Sequence, residues 1–152
     1  MVEIEPYYIN TMEEYELIKE RKIEPLIDTR FFIIDIVLRV QLQNKLFGLA
    51  EIGKRNIPKA NEKFYRWCWQ NKIHVCEECY KPLLDYSAIF ISHILTKGAK
   101  PEMAHDPRNV NILCFEHHNK WENGTENVRS KMRIYAKNIK RIKQLKLDYR
   151  KL

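Results

Sequence analysis

The longest patterned stretch of the chain is residues 31–43, FFIIDIVLRVQLQ. Its even positions, Phe32, Ile34, Ile36, Leu38, Val40 and Leu42, are all apolar. From 35 onward the odd positions are Asp35, Val37, Arg39, Gln41 and Gln43, mostly polar. Period two with β-branched residues predicts a long strand, and the run is also long enough for three helical turns. Residues 12–22 read as a helix, with Thr11 as N-cap and Glu14 as its capping-box partner. Gly48, Gly53 and Pro58 place a connection over 44–58. Residues 59–71 read as a second helix, with Phe64, Trp67 and Cys68 on one face. Further on, 87–92 and 110–113 are short strand candidates separated by a loop over 95–108. A short helix follows over 115–122, ended by Gly124. Residues 128–151 then carry Ile139, Ile142 and Leu145 near helical spacing, which predicts a basic amphipathic helix.

Charge adds a direction. The 152 residues carry 27 Lys+Arg against 20 Asp+Glu, a net charge of +7. Residues 1–30 hold eight acids and four bases, so the rest of the chain carries +11. Six bases and one acid fall between 54 and 72, interleaved with aromatics, and ten bases and one acid between 128 and 151. This balance points to a polyanionic partner, most often nucleic acid, although a charged helix face is equally an ordinary solvated one. No apolar run approaches the ~20 residues of a membrane span. The N-terminal MVEIEPYYIN is acidic and lacks a signal-peptide core, so the expectation is a soluble cytoplasmic protein with reduced cysteines.

Three of the four cysteines fall into a pattern. Cys76-x-x-Cys79 is followed by Cys114-x-x-His117. Two residues between ligands let a tight turn aim both side chains at one ion, and Zn²⁺ takes four S/N ligands in a tetrahedron. Cys76, Cys79 and Cys114 supply three. His117 and the adjacent His118 compete for the fourth place, with His74 a weaker competitor. A closed set leaves no open position, so this zinc is expected to be structural and to clamp the segment between the pairs. Cys68 lies outside the pattern and reads as a buried core thiol.

The clamped segment runs strand, His93, loop, Asn109, strand, and a helix bearing His118. His93 can take a proton from water near neutral pH, His118 can hold a divalent metal, and Asn109 can bridge the loop with both donor and acceptor. With CEEC at 76–79, ISHIL at 91–95, DPRNVNILC at 106–114 and FEHHNKW at 115–121, the chain resembles the HNH (ββα-metal, or His-Me finger) endonucleases, most of all the zinc-box members common in phages and bacteria. The resemblance covers about residues 60–125 and not 1–55.

With the elements read above, the expectation is an α+β protein organised as an N-terminal α/β extension (1–55), a zinc-braced ββα nuclease core (56–127), which the resemblance implies, and a basic C-terminal helix (128–152). The resemblance implies DNA as substrate, His93 as general base, Asn109 as the residue steadying the loop, and His118 as ligand of a catalytic Mg²⁺ or Mn²⁺. His117 falls where the family has a second cysteine, which assigns it to zinc. The family often has Asp or His before the base, where this chain has Ser92. Glu122, one helical turn after His118, is then a candidate extra ligand, and Asp106 and His105 are further ones. Lys97, Lys100, Arg108, Lys120, Arg129, Lys131 and Arg133 are the candidate contacts to nucleic acid. Residues 31–43, as an exposed strand edge, would pair two copies of the chain. The rival reading is a zinc-stabilised DNA-binding module that has lost the chemistry.

Overall fold

The computed structural model describes residues 6–48 and 57–152. Gly53, Lys54, Arg55 and the expected boundary between 55 and 56 lie outside the described residues. The protein is α+β and mostly helical, and the described residues form two small sheets. Strand β1 (Tyr7–Tyr8) pairs in parallel with β2 (Phe31–Phe32), and helix α1 (Met12–Glu20) lies between them in sequence. Thr11 caps α1 by accepting from the Glu14 amide at 3.1 Å.

The long strand expected over 31–43 is not formed. Only Phe31–Phe32 is extended, and Ile36–Phe47 is helix α2. Asp35 decides this, because its side chain accepts from the Val37 and Leu38 amides and satisfies the first helical donors. At the other end Gly48 adopts φ of 68°, a conformation that strains any side chain carrying a Cβ. Helix α2 buries Ile36, Leu38, Arg39, Leu42, Gln43 and Phe47, so of the expected strand edge only Phe31–Phe32 is extended.

Helix α3 (Ile57–Asn71) seats Phe64 and Cys68 in the main core, both fully buried. Strand β3 (Ile91–His93) is shorter than expected, because Ala88–Phe90 forms a 3-10 turn capped by Ser87. It pairs antiparallel with β4 (Val110–Ile112), Ile91 facing Ile112 and His93 facing Val110. Two more 3-10 turns, Pro101–Met103 and Pro107–Asn109, organise the loop between these strands. Helix α4 (Phe115–Asn123) follows and ends at Gly124, where a Cβ would collide with the Lys120 carbonyl. The basic tail holds two helices, α5 (Glu126–Ser130) and α6 (Tyr135–Tyr149). No helix among the described residues is long and apolar enough to cross a membrane.

One apolar cluster joins α3, the β3–β4 hairpin and α4, with Trp121, Ile91 and Val110 at its centre. A second holds the N-terminal elements together through Ile9, Tyr15, Ile18, Leu38 and Leu42. Leu46 and Trp67 pack against both. Ile36, Met103, Leu145 and Tyr149 form a third cluster, which joins α2, the loop and α6.

The same three parts meet at Asp106, which has no solvent exposure. Its carboxylate accepts from Arg39 Nη1 at 3.4 Å, from Arg108 Nη2 at 2.8 Å and from the Tyr149 hydroxyl at 2.9 Å. Arg108 also pairs with Asp148 at 2.6 Å. Burial pushes the Asp106 carboxyl up, but Arg39 and Arg108 outweigh it and hold the group well below the usual carboxylate range. A carboxyl with a lowered pKa stabilises the fold above its unfolded value near 4 and loses that contribution as pH falls below it. Asp106→Asn leaves Arg39 buried without a counter-charge, so we expect a loss of about 3–5 kcal/mol in urea unfolding at pH 7. The gap between mutant and wild type should narrow below about pH 4.

Candidate functional site

The CxxC turn is built from backbone bonds. The Tyr80 amide donates to the Cys76 carbonyl at 2.8 Å, and the Cys76 amide to the Lys81 carbonyl at 3.0 Å. Tyr80 takes a positive φ of 63° to close the turn. Glu77 ties the turn to β4, its amide donating to the Ile112 carbonyl at 2.8 Å. Glu78 ties it to the tail by accepting from the Arg133 and Ile134 amides at 2.7 and 3.0 Å. Cys114 stands at the N-terminus of α4 and His117 in its first turn.

The ligand atoms of Cys76, Cys79, Cys114 and His117 all lie within 4.8 Å of one another. Cys114 Sγ is 3.2 Å from His117 Nδ1, Cys76 Sγ 3.7 Å from the same atom, and Cys79 Sγ 4.0 Å from Cys114 Sγ. A tetrahedral zinc with bonds of about 2.3 Å needs ligand atoms about 3.8 Å apart, so the four residues could hold such a metal. Backbone N–H groups around Cys76 overcome its burial and lower its thiol to about 7, which favours the thiolate a metal takes. His74 is not part of the cluster: its ring stacks on Trp69 at 3.6 Å and its Nε2 donates to the Trp69 carbonyl. Cys68 sits in the core, its thiol pushed up by burial to about 12.

His93 ends β3, between the rings of Phe64 and Tyr65, each 6.0 Å away. Its Nε2 is 2.8 Å from the Ala104 carbonyl. A carbonyl only accepts, so the proton is on Nε2 and Nδ1 carries the lone pair. Burial, with Lys97 and His118 nearby, lowers His93 to about 4, so the ring is neutral at pH 7. Asn109 is fully buried and cross-links the loop: its Oδ1 accepts from the Leu95 amide at 2.8 Å, and its Nδ2 donates to the Leu95 carbonyl at 2.9 Å and the Met103 carbonyl at 3.3 Å. That bonding ties down Met103, the residue before the Ala104 that His93 bonds.

On α4, His118 Nδ1 donates to the Ile89 carbonyl and its Nε2 faces Glu122 Oε2 at 2.9 Å. Both residues act electrostatically on His93. Ser92 is fully buried, pairs with Asn111 and by alternation faces away from His93, so its side chain does not join His93. Asp106 is taken by the arginine network, and His105 Nε2 bonds Asn61 Oδ1 at 2.8 Å.

The basic side chains divide in two. Arg108 is bound to Asp106 and Asp148, which removes it from the free cations. Arg129 caps α4 by donating to the Trp121 and Glu122 carbonyls, and Arg133 covers the Tyr80 ring at 4.8 Å. Lys120 pairs with Glu116, Lys131 is exposed, and Lys100 is half-buried at the start of a 3-10 turn. Lys97 acts electrostatically on His93 and donates to the Tyr65 hydroxyl at 2.6 Å. Tyr65 and the Ala104 carbonyl were missed from the sequence. The basic-aromatic interleaving of 59–71 signalled the first; a backbone carbonyl leaves no signal.

We expect the purified chain to carry about one zinc per molecule, which Cys79→Ser should lose and Cys68→Ser should keep. A chelator should lower the melting temperature of the wild type while leaving that of Cys79→Ser unchanged. No protein-family model matches the chain, and no curated protein or solved structure matches it either, so its function is read from its own residues.

Proposed function

We propose that this chain is a metal-dependent endonuclease of the HNH kind, hydrolysing DNA phosphodiester bonds on a ββα core made of β3, β4 and α4. The observation that carries the reading is the state of His93: a neutral imidazole with its proton committed to Ala104 and its Nδ1 lone pair free, beside His118 and Glu122. A general base needs that combination of an available lone pair and a fixed ring. Asn109 and the zinc clamp supply the fixity.

His118 Nε2 and the Glu122 carboxylate would hold the divalent ion. Their 2.9 Å separation suits two neighbouring ligands of an octahedral Mg²⁺ with bonds of about 2.1 Å. Two protein ligands leave the remaining positions to water and substrate phosphate, so Ser92 need not contribute. When bound, the ion would supply Lewis-acid stabilisation of charge on the phosphate and the leaving oxygen. His93 Nδ1 takes the proton of the attacking water. Lys97, fixed by Tyr65, draws the phosphate towards the cleft.

The second reading is a zinc-stabilised DNA-binding module, favoured by the turned-away Ser92. On that reading His118 and Glu122 are an ordinary ion pair.

Plasmid cleavage separates the two. Wild type with Mg²⁺ or Mn²⁺ should nick or linearise DNA, and His93→Ala should be slower by about 10²–10⁴ while keeping its zinc. If the wild type binds DNA but cuts with neither ion, the binding module replaces the nuclease. Glu122→Gln should raise the Mg²⁺ needed for half-maximal cleavage without changing zinc content. The pH profile adds an independent check. Lowering the His93 pKa keeps the base unprotonated, so cleavage should stay flat from pH 8 to 6. A histidine near 6.5 would lose about three-quarters of its base form over that range.

A further inference from the structure

A cavity of about 1060 Å³ opens where the N-terminal segment, the CxxC turn and α6 meet. None of His93, Asn109, His118 or Glu122 lines it, so it is separate from the proposed catalytic cleft. Its walls carry charges of both signs, but the acids are already engaged. Asp28 is held by Arg30 at 2.6 Å, Glu77 by Lys137 at 3.0 Å, and Asp148 by Arg108 at 2.6 Å.

The cations are not so matched. Lys72 Nζ and Arg141 Nη1 converge on a single acceptor, the Val110 carbonyl, at 3.1 and 3.4 Å. Lys72 also donates to the Pro107 carbonyl at 3.1 Å. Among the described residues, no carboxylate lies within ion-pair distance of Lys72, Arg141 or Lys151, all of which line the cavity. Burial pushes Lys72 below the usual lysine range, and the charges of Arg141 and Lys137 add to that, against the pull of Cys68 and Glu77. Arg39 lines the cavity too, and its Nε is buried without a hydrogen-bond partner. Two cations sharing one neutral oxygen, in a cavity also lined by Arg39, whose Nη1 is held by Asp106 while its Nε lacks an acceptor, form a site short of negative charge.

Much of the rest of the wall is apolar. Ile34, Ile73 and Leu147 line the cavity and are 61%, 79% and 52% exposed. Large aliphatic side chains left this open around a concavity mark a binding surface more often than chance exposure does.

We propose that this cavity binds a small amphipathic organic acid, its anionic head on Lys72 and Arg141 and its apolar body against Ile34, Ile73 and Leu147. Charge complementarity selects the head and the aliphatic rim selects the body. The proposal does not depend on the nuclease reading.

The test titrates the full, zinc-loaded chain with anilinonaphthalene sulfonate, an aromatic anion whose fluorescence rises on transfer to an apolar site. The expected result is saturable binding of one equivalent, displaced by dodecanoate. Arg141→Glu and Ile73→Asp should each weaken it by about tenfold or more, with zinc content and melting temperature unchanged. Ile73 is mostly exposed, so its variant remains informative if Arg141→Glu proves unstable. The proposal is overturned if binding does not saturate, or if Ile73→Asp binds as wild type does. Displacement by duplex DNA but not by dodecanoate would also overturn it, and would make the cavity part of a nucleic-acid surface.

Discussion

Asp106 is the residue on which the largest number of separate chain segments depends. A buried carboxylate is costly to desolvate, by several kcal/mol, and persists only when its lone pairs are filled by well-placed donors. Here they come from α2 through Arg39, from the 3-10 turn through Arg108, and from the end of α6 through Tyr149. Arg108 then extends the network to Asp148. The N-terminal segment and the basic tail are thereby joined to the loop between β3 and β4. The apolar cluster of Ile36, Met103, Leu145 and Tyr149 lies at the same junction, so packing and charge reinforce one another.

That loop is held a second time by Asn109, and the segment containing it is closed by the cysteine-histidine cluster. The consequence for chemistry is local. His93 sits at the end of a three-residue strand, too short to fix an imidazole by itself. Its orientation comes from the Ala104 carbonyl, and the position of that carbonyl depends on Asn109 and on Asp106 two residues away. A neutral, oriented histidine is thus a product of bonds made far along the chain, and not only of its own burial.

Much of this was legible in the sequence because the signals are local. The Thr11 cap and the Gly124 stop each involve a few residues, the two metal-ligand pairs each have a short spacing, and Asn109 is a residue type that can donate and accept across a loop. The strand expected at 31–43 failed for a physical reason. Even-position apolars at 36, 38 and 42 suit a strand, yet the same stretch also buries Arg39 and Gln43 on a helical face. Burial of Arg39 follows from its pairing with Asp106, 67 residues away, and a hydrophobicity pattern cannot register that. Asp35 was the available clue, as an N-cap rather than as one more polar odd position. Arg108 is the same case: among candidate DNA contacts it looked like any other base, and its partners at 106 and 148 are visible only in three dimensions.

The loop also links the His93 site to the cationic cavity. Ala104 orients His93, while Pro107 and Arg108 line the cationic cavity, and only Asp106 and its neighbour His105 separate them. Arg39 belongs to both sides, as partner of Asp106 and as a wall residue with an unsatisfied Nε. An anion that engaged Arg39 would compete with Asp106 for its charge, and the 3.4 Å bond between them is the longest in the network. Arg108, with its shorter and multiple bonds, would keep the carboxylate satisfied during such a shift. The network therefore has one strong arm, Arg108, that holds the loop and one weak arm, Arg39, and both line the cavity. Any coupling between the cavity and His93 would run most readily through the weak arm, because the strong one is tied to two carboxylates at once, Asp106 and Asp148.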